Sequence, residues 1–292
     1  MRFSLIMATR GRCGEVEAFL ESLHAQARAD TEVIVVDQNG DDRLAPVVAR
    51  HADRLPTRRL RSGHANACHA RNLGLSVARG DIVGFPDDDC LYPPGLLERV
   101  DAAFAADPAL RVLTGPAASP EGGLGSGRWR QEGGPITPAN AWTSVIEFNL
   151  FVRRDAALAL GGFDERLGPG TPFGSAEGND LVLRAVSAGH KAVYDPGQRV
   201  VHPDKRMTAA AAERAERYGM GMGFVLRRHR VPPSVWLPFF VRPLGGAVLG
   251  ATRGDAVAVR HHLGSLRGRW AGFTSRDSAE GVPLSPMAGE QR

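Results

Sequence analysis

Short apolar runs alternate with amphipathic segments along the first part of the chain. The first run is rich in β-formers and is followed by Val16, Phe19, Leu20 and Leu23, whose spacing is that of one helix face. Two further apolar runs each end in acidic residues. The three runs occupy residues 3–8, 32–36 and 81–85. Strands that alternate with helices predict a mostly parallel sheet with helices on both faces.

The same alternation continues towards residue 205. Helices are expected over residues 67–78 and 94–106 and from the EGND stretch to Gly189, and strands near residues 111–114, 192–194 and 199–201. We expect a left-handed glycine cap at Gly80, after the first of these helices. Residues 115–140 are rich in Gly, Pro and Ser and lack periodicity, which predicts a mobile loop beside the functional site.

Polar residues follow three of the predicted strands. Thr9, Asp37 and the run Asp87-Asp88-Asp89 stand where these strands end, and ligands of α/β sheets bind beyond the carboxyl ends of the strands. Three adjacent carboxylates repel one another unless a cation lies among them. A hard divalent ion, Mg²⁺ or Mn²⁺, bound with the oxygens of a diphosphate would remove that repulsion. A solvated acidic turn is the alternative for the aspartates taken alone.

Several separated motifs resemble one family. The stretch HANACHARNLGLSVARGDIVGFPDDDCLYPPGLLERV resembles the core of family 2 glycosyltransferases, which have the GT-A fold and a D-x-D metal motif. FSLIMATRGR and EVIVVDQNG resemble their nucleotide-binding half, and GGFDE, EGNDLVLRA and YDPGQRVVHP follow in the family's order. The resemblance implies an α/β, GT-A type, Rossmann-like catalytic domain over residues 1–205, with a helical C-terminal extension. Its nucleotide-sugar-binding half would be residues 1–114 and its acceptor-binding half residues 115–205.

The resemblance also implies roles for single residues. It places Thr9, Arg10 and Asp37 at the nucleoside, Arg71 near the donor's phosphates, Asp87 and Asp88 at the nucleotide, and Asp87 and Asp89 at the metal. These types suit the roles, because Asp accepts hydrogen bonds and Arg is a phosphate fork. His202 closes the strand RVVH and would be a third metal ligand, with a purely structural histidine as the alternative.

Inverting transfer needs a carboxylate that removes the acceptor proton. The family's E-D-x-D-like motif here reads Glu177-Gly178-Asn179-Asp180, so the position often assigned as base is a glycine. We favour Glu177 as the base, since we expect it in a flexible loop ahead of the helix. Asp180 is the alternative, although it could instead cap that helix or pair with Arg184 at i+4.

Charge and cysteine content change the picture further. Residues 205–270 hold 12 Lys and Arg against 3 Asp and Glu, a balance of +9 in a chain of net charge +4. This basic region, residues 206–275, favours an anionic partner such as a membrane surface. The 3 cysteines show no C-x-x-C spacing, so neither a zinc site nor a disulfide framework is predicted, and a reducing cytoplasm is the expected compartment.

One apolar stretch, residues 231–250, bears on membrane contact. Its four prolines make it a poor membrane span, and a helix lying on the inner membrane face fits better. The alternatives are that Trp236, Phe239 and Phe240 pack on the catalytic body, or that the stretch contacts a second subunit. Residues 276–292 are expected to be a disordered tail.

The predicted function is therefore inverting, metal-dependent transfer of a sugar from a nucleotide-diphosphate sugar, a UDP-sugar above all. The acceptor would be a hydroxyl of a lipid-linked, polysaccharide or small molecule. A nucleotidyltransferase is less favoured because it would have a glycine- and lysine-rich phosphate loop near the N-terminus, and MATRGRCGE has no lysine. A dinucleotide-dependent dehydrogenase is less favoured still, because no G-x-G-x-x-G follows the first strand. A non-catalytic sugar-nucleotide- or lipid-binding protein, prompted by Gly178, stays open. No nucleic-acid partner is expected, because the tail's arginines lack interleaved aromatic platforms.

Overall fold

A computed structural model describes residues 1–26 and 28–276 of the 292-residue chain. The expected disordered tail lies outside the described residues, apart from Arg276. The strands are β1 Phe3–Thr9, β2 Thr31–Asp37, β3 Thr57–Arg61, β4 Ile82–Gly84, β5 Leu110–Thr114, β6 Ala117–Ala118, β7 Gly134–Pro135, β8 Leu150–Arg153, β9 Lys191–Tyr194 and β10 Val200–Val201. The helices are α1 Gly14–His24, α2 Ala45–His51, α3 Ala67–Val77, α4 Leu96–Ala106, α5 Arg154–Ala159, α6 Glu177–Ser187, α7 Ala209–Arg228, α8 Pro233–Thr252 and α9 Ala256–Thr274.

The central sheet has eight strands in the order β3-β2-β1-β4-β8-β5-β9-β7. Strands β1 to β4 run parallel to one another, and β5 runs parallel to β9. Strand β8 runs antiparallel between β4 and β5, and β7 runs antiparallel to β9. The predicted mostly parallel sheet is thus confirmed, with antiparallel members that the alternation of strands and helices did not indicate.

Both faces of the sheet are buried. Along β1 the apolar side chains alternate, so that Leu5 and Met7 join the core under α1 and α4 whereas Ile6 joins the core under α3 and α6. All seven residues of β2 are buried, as expected of a central parallel strand.

Gly80 has a different role from the predicted helix cap. Helix α3 ends at Val77, and the next residue, Ala78, has an extended backbone. The φ angle of Gly80 is not positive. A Cβ on Gly80 would lie 2.5 Å from the backbone carbonyl carbon of Phe3. The glycine is required because the chain passes directly against β1, and the expectation of a left-handed cap was wrong.

The C-terminal region consists of α7, α8 and α9. Helix α7 packs into the catalytic body, where Phe224 and Val225 are fully buried and the Phe224 ring meets that of Phe173 at 4.7 Å. Helix α8 has Pro238 and Pro243 in its interior. Among the described residues, α8 is the helix whose length and apolar composition would allow it to cross a membrane.

Candidate active site

The ends of β1 and β4 bring the acidic run to the predicted edge of the sheet. Ala8 of β1 forms a parallel bridge with Asp87, and the Thr9 hydroxyl donates a 2.7 Å hydrogen bond to Asp88 Oδ2. Leu91, just beyond the run, pairs with Val201 of β10. These backbone pairings place His202 beside the aspartates although more than a hundred residues separate them in the chain.

Asp87, Asp89 and His202 form a cluster suited to a metal ion. Their ligand atoms all lie within 4.8 Å of one another, and His202 Nε2 is 3.2 Å from Asp89 Oδ1. His202 Nδ1 lies 2.8 Å from the Pro203 carbonyl oxygen, which can only accept, so Nδ1 carries a proton and Nε2 is the ring nitrogen that faces the cluster. Nε2 would bind a metal ion through its lone pair after losing its own proton. Two carboxylates and an imidazole nitrogen fit Mn²⁺ or Mg²⁺, with nitrogen favouring the former.

One aromatic side chain, Phe148, and one cationic side chain, Arg12, hold this cluster in place. The His202 ring stacks on Phe148 with centroids 4.4 Å apart. Arg12 Nη1 lies 2.6 Å from both Asp88 Oδ1 and Asp89 Oδ2. Burial raises the pKa of Asp89, but the His202 hydrogen bond and the Arg12 charge outweigh it, so that pKa lies below its ordinary value. The cluster therefore already attracts positive charge.

Arg12 was not among the predicted site residues, whereas Arg10 was. Arg10 is exposed, and the guanidinium that reaches the aspartates comes from two positions further along the same loop. The TRGR stretch after β1 was the available signal, because either arginine of that loop could turn towards the acidic run.

Asp37 lies at the end of β2 with its carboxylate enclosed. Its Oδ1 accepts from the backbone and side-chain nitrogens of Asn39, and its Oδ2 lies 2.6 Å from Arg59 Nη2. Its side chain is fully buried. The contact of Asp37 with a nucleoside stays a prediction, and in this structure the residue orders the loop after β2.

Arg71 of α3 links the acidic run to α6. Nη2 lies 2.8 Å from Asp87 Oδ1, Nη1 lies 3.1 Å from Glu177 Oε1, and the guanidinium lies over the Phe163 ring. Although burial opposes the charge, the two carboxylates keep the pKa of Arg71 above its ordinary value. Arg71 is thus a fixed cation next to the candidate metal site.

Glu177 is the first residue of α6 and is 4% exposed, so the expected flexible loop around it was wrong. Burial and the charge of Glu147 raise its pKa to about 7, against the opposing effect of Arg71. Glu147 itself was missed by the sequence reasoning. It lies in the one-turn helix Glu147–Asn149 before β8, and its Oε1 accepts a hydrogen bond from the Gly178 N–H at 3.2 Å.

Asp180 lies one helical turn further along α6, surrounded by two arginines and a histidine. Its carboxylate is 2.8 Å from Arg184 Nε, 2.8 Å from His229 Nε2 and 3.3 Å from Arg228 Nη1, and its side chain is fully buried. Burial is outweighed by these partners, of which His229 has the largest effect, and the pKa of Asp180 is far below its ordinary value. Its predicted alternative role, the i+4 pair with Arg184, is present in the structure.

The order of these motifs and the cluster at the sheet edge agree with one family. Residues 4–154, just over half of the chain, match the model of Glycosyl transferase family 2. The chain belongs to this family.

Two relatives show how the sequence identity and the matched length vary within family 2. An uncharacterized glycosyltransferase of Haemophilus influenzae is 32% identical over 115 residues, which are 39% of this chain and 38% of that protein. The N-acetylglucosaminyl-diphospho-decaprenol L-rhamnosyltransferase of Mycobacterium tuberculosis is 29% identical over 226 residues, 64% of this chain and 71% of that protein. The chain thus spans less than two fifths of the first of these relatives.

A solved structure supports the fold of this family 2 protein. The mannosyltransferase PcManGT of Pyrobaculum calidifontis, in complex with GDP-Man and Mn²⁺, superposes with a TM-score of 0.67 at 19% identity. The superposition covers 94% of this chain and 87% of that one, the helical C-terminal part included. The GT-A fold expected from the sequence is thereby confirmed.

Proposed function

We propose that this protein is an inverting, metal-dependent glycosyltransferase that moves a sugar from a nucleotide-diphosphate sugar to a hydroxyl group. The observation that carries the proposal is the cluster of Asp87, Asp89 and His202 at the carboxyl edge of the sheet. Such an edge is where α/β sheets bind nucleotides. The family match supports the reaction class, and a GDP-sugar with Mn²⁺ in PcManGT supports the kind of donor.

In this proposal the two acidic ligands and the His202 Nε2 hold a divalent ion, Mn²⁺ or Mg²⁺. When bound, the ion offsets the negative charge of the departing diphosphate. Arg71 adds a fixed positive charge from the α3 side, and Arg12 does so from the loop after β1. The Asp88 carboxylate lies beside the cluster, where a hydrogen bond from Thr9 and an ion pair with Arg12 fix its orientation.

We further propose a lipid-linked acceptor at the inner, cytoplasmic face of a membrane. The apolar residues Leu237, Val241, Leu244 and Val248 recur on one side of α8 and are each about half exposed or more. The aromatic residues of α8 face the other way, since Phe239 meets Trp142 and Phe240 meets Phe273 of α9. Phe239 therefore packs on the catalytic body, whereas Trp236 and Phe240 pack on α9 and the aliphatic stripe faces solvent.

Charge and a relative favour an anionic membrane as the partner of this stripe. Arg242 and Arg253 are exposed on or next to α8, and Arg260 is exposed on α9. A helix of this kind lies in the membrane interface with its arginines at the headgroups. The rhamnosyltransferase relative is named for an acceptor carried on a diphospho-decaprenol lipid, which is consistent with this placement.

Titration calorimetry with UDP, GDP and dTDP, each with and without Mn²⁺, tests the proposed donor class. We expect one nucleotide to bind only with the metal, because Asp87, Asp89 and the diphosphate would repel one another without it. Asp89→Ala should remove the metal-dependent heat. Asp53→Ala, an exposed carboxylate in the turn that follows α2, is the matched control and should bind as the wild type does. Equal binding with and without Mn²⁺, or none in either case, would contradict the proposal.

A further inference from the structure

One carboxylate beside the site takes no part in the ion pairs described above. Glu147 is partly exposed, and its Oε1 accepts only the Gly178 N–H among the hydrogen bonds of the described residues. Within that same part of the chain no arginine, lysine or histidine lies within ion-pair distance of it.

The other carboxylates of the site are already held by cations or enclosed. Asp87 and Glu177 share Arg71, and the Glu177 side chain is only 5% exposed. Asp88 is bound by Thr9 and Arg12, and Asp180 has no exposed side-chain surface. A general base must reach the proton that it removes and must be able to accept it. Among the carboxylates in the described part of the site that are not assigned to the metal ion, only Glu147 is both partly exposed and without an ion pair.

The contact between Glu147 and Gly178 is sterically close. A Cβ built on Gly178 would lie 2.8 Å from Glu147 Cγ and 3.0 Å from its Oε1. The space that a side chain at position 178 would occupy is therefore filled by the Glu147 side chain. Position 178 is also the one where the resemblance to the family placed the usual base.

The turn that carries Glu147 also contacts the candidate metal site. Phe148, the next residue, stacks on the His202 ring at 4.4 Å. Glu147 is thus the immediate neighbour of a residue that stacks on a candidate ligand, and its charge acts to raise the pKa of Asp87, another of the candidate ligands.

We propose that Glu147 is the catalytic base, supplied from the turn before β8 in place of a side chain at Gly178; this rests on the proposed transferase function. The Glu147 carboxylate takes the proton of the acceptor hydroxyl, and the hydroxyl oxygen forms a bond to the anomeric carbon of the donor sugar. The bond from that carbon to the diphosphate oxygen breaks, and its electron pair leaves with the nucleoside diphosphate. Glu177 then serves to position Arg71.

The first test compares Glu147→Gln with the wild type, using UDP-GlcNAc and GDP-mannose with Mn²⁺ as donor probes and water as the acceptor. Release of nucleoside diphosphate should fall about 100-fold or more in kcat, the usual contribution of a general base. Donor KM and calorimetric nucleotide binding should stay unchanged, which also shows that the variant is folded. Glu98→Gln, an exposed glutamate of α4, is the matched control and should keep full turnover.

The second test moves the carboxylate back to position 178. In a Glu147→Ala background the clash at Gly178 is removed, so Gly178→Asp should raise turnover above that of Glu147→Ala alone. Gly178→Ala in the same background adds a Cβ without a carboxylate and should not raise it.

The outcomes separate this assignment from the function on which it rests. If the wild type binds no nucleotide with Mn²⁺ and releases none from either probe, the transferase function falls and the assignment falls with it. If the wild type turns over and Glu147→Gln does so at a similar rate, the assignment alone is overturned. A gain with Gly178→Ala equal to that with Gly178→Asp would likewise count against a carboxylate base.

Discussion

The buried aspartates Asp164 and Asp180 each contact more than one basic side chain. Asp180 is enclosed by Arg184, Arg228 and His229, and Asp164 lies 2.6 Å from both Arg166 and Arg228. A buried charge that loses its partner costs far more than an exposed one, because water cannot replace the lost interaction. These side chains therefore determine stability, whereas the more accessible Glu147 is free for chemistry.

Asp180→Asn should lower the free energy of unfolding by about 3 to 5 kcal/mol at pH 7, since it leaves buried guanidinium groups without their carboxylate. The folded-state pKa of Asp180 is depressed, so its stabilisation is fully present above the unfolded-state pKa of about 3.9 and is lost as the pH falls below it. The variant should accordingly lose less stability than the wild type between about pH 5 and pH 3.

Urea unfolding followed by circular dichroism across this pH range measures both effects. Asp81→Asn is the control, because Asp81 is 62% exposed and meets Arg2 only at 3.5 Å. A similar change in both variants would show that the buried ion pairs of Asp180 do not contribute as described.

Single residues were predicted unevenly from the sequence. Asp87 and Asp89 were predicted because they follow an apolar run, and His202 was predicted from the resemblance to the family; the structure brings the three side chains together. Glu147 was missed because it stands in no motif, and Arg12 was missed although it ends the FSLIMATRGR motif, because each reaches the site only through tertiary packing. Hydrophobic periodicity describes which face of an element is buried, and it carries no information about such contacts between distant segments.

Among the elements, those with clear periodicity were predicted well. Strand β3 was missed because its sequence, TRRLR, has no apolar alternation; in the structure Arg59 and Arg61 pair with Asp37 and Asp42. Strand β8 was missed because it returns antiparallel into the centre of the sheet after a long loop. Local sequence does not determine strand direction, and an insertion between two existing strands has no local signature.

The closest helix pair, α7 and α9, depends on glycines. A Cβ on Gly268 would lie 1.9 Å from the Glu216 carbonyl oxygen, and one on Gly272 would lie 2.0 Å from that of Met220. The two backbones touch there, so a side chain can fit only if the helices separate.

Gly268→Ala should therefore destabilise the protein by about 1 to 3 kcal/mol, the usual effect of overpacking. Gly245→Ala in α8 is the matched control, because nothing lies within 4 Å of its added Cβ. It should stabilise the protein by about 0.5 to 1 kcal/mol, since alanine loses less backbone entropy in a helix. Thermal unfolding of both variants should show shifts of opposite sign, and shifts of the same sign would refute the described packing.

The whole molecule has a strongly uneven charge distribution. The basic C-terminal helices carry the exposed aliphatic stripe of α8, whereas the rest of the chain is net acidic. Such a molecule is attracted to an anionic surface with its C-terminal helices first.

Vesicle sedimentation tests this orientation. The protein should bind vesicles of phosphatidylglycerol better than those of phosphatidylcholine, and added salt should weaken the binding. The double change Leu244→Asp and Val248→Asp should reduce binding more than tenfold, because each leucine- or valine-sized side chain contributes about 1.5 to 3 kcal/mol when buried. Leu158→Asp, a similarly exposed leucine of α5, should have no effect. Binding that is equal for both lipids, or equal in the double variant, would contradict membrane contact by this stripe.

The contacts of Arg228 and His229 also limit how parts of this protein can be exchanged with parts of related proteins. Both residues belong to the end of α7, outside the segment 4–154 that the family shares, yet they neutralise Asp164 and Asp180 of the catalytic body. A chimera that joins residues 1–205 to the C-terminal helices of another transferase would leave Asp164 with Arg166, and Asp180 with Arg184, but without the partners from the end of α7. The C-terminal helices cannot therefore be exchanged on their own, and the two parts must change together.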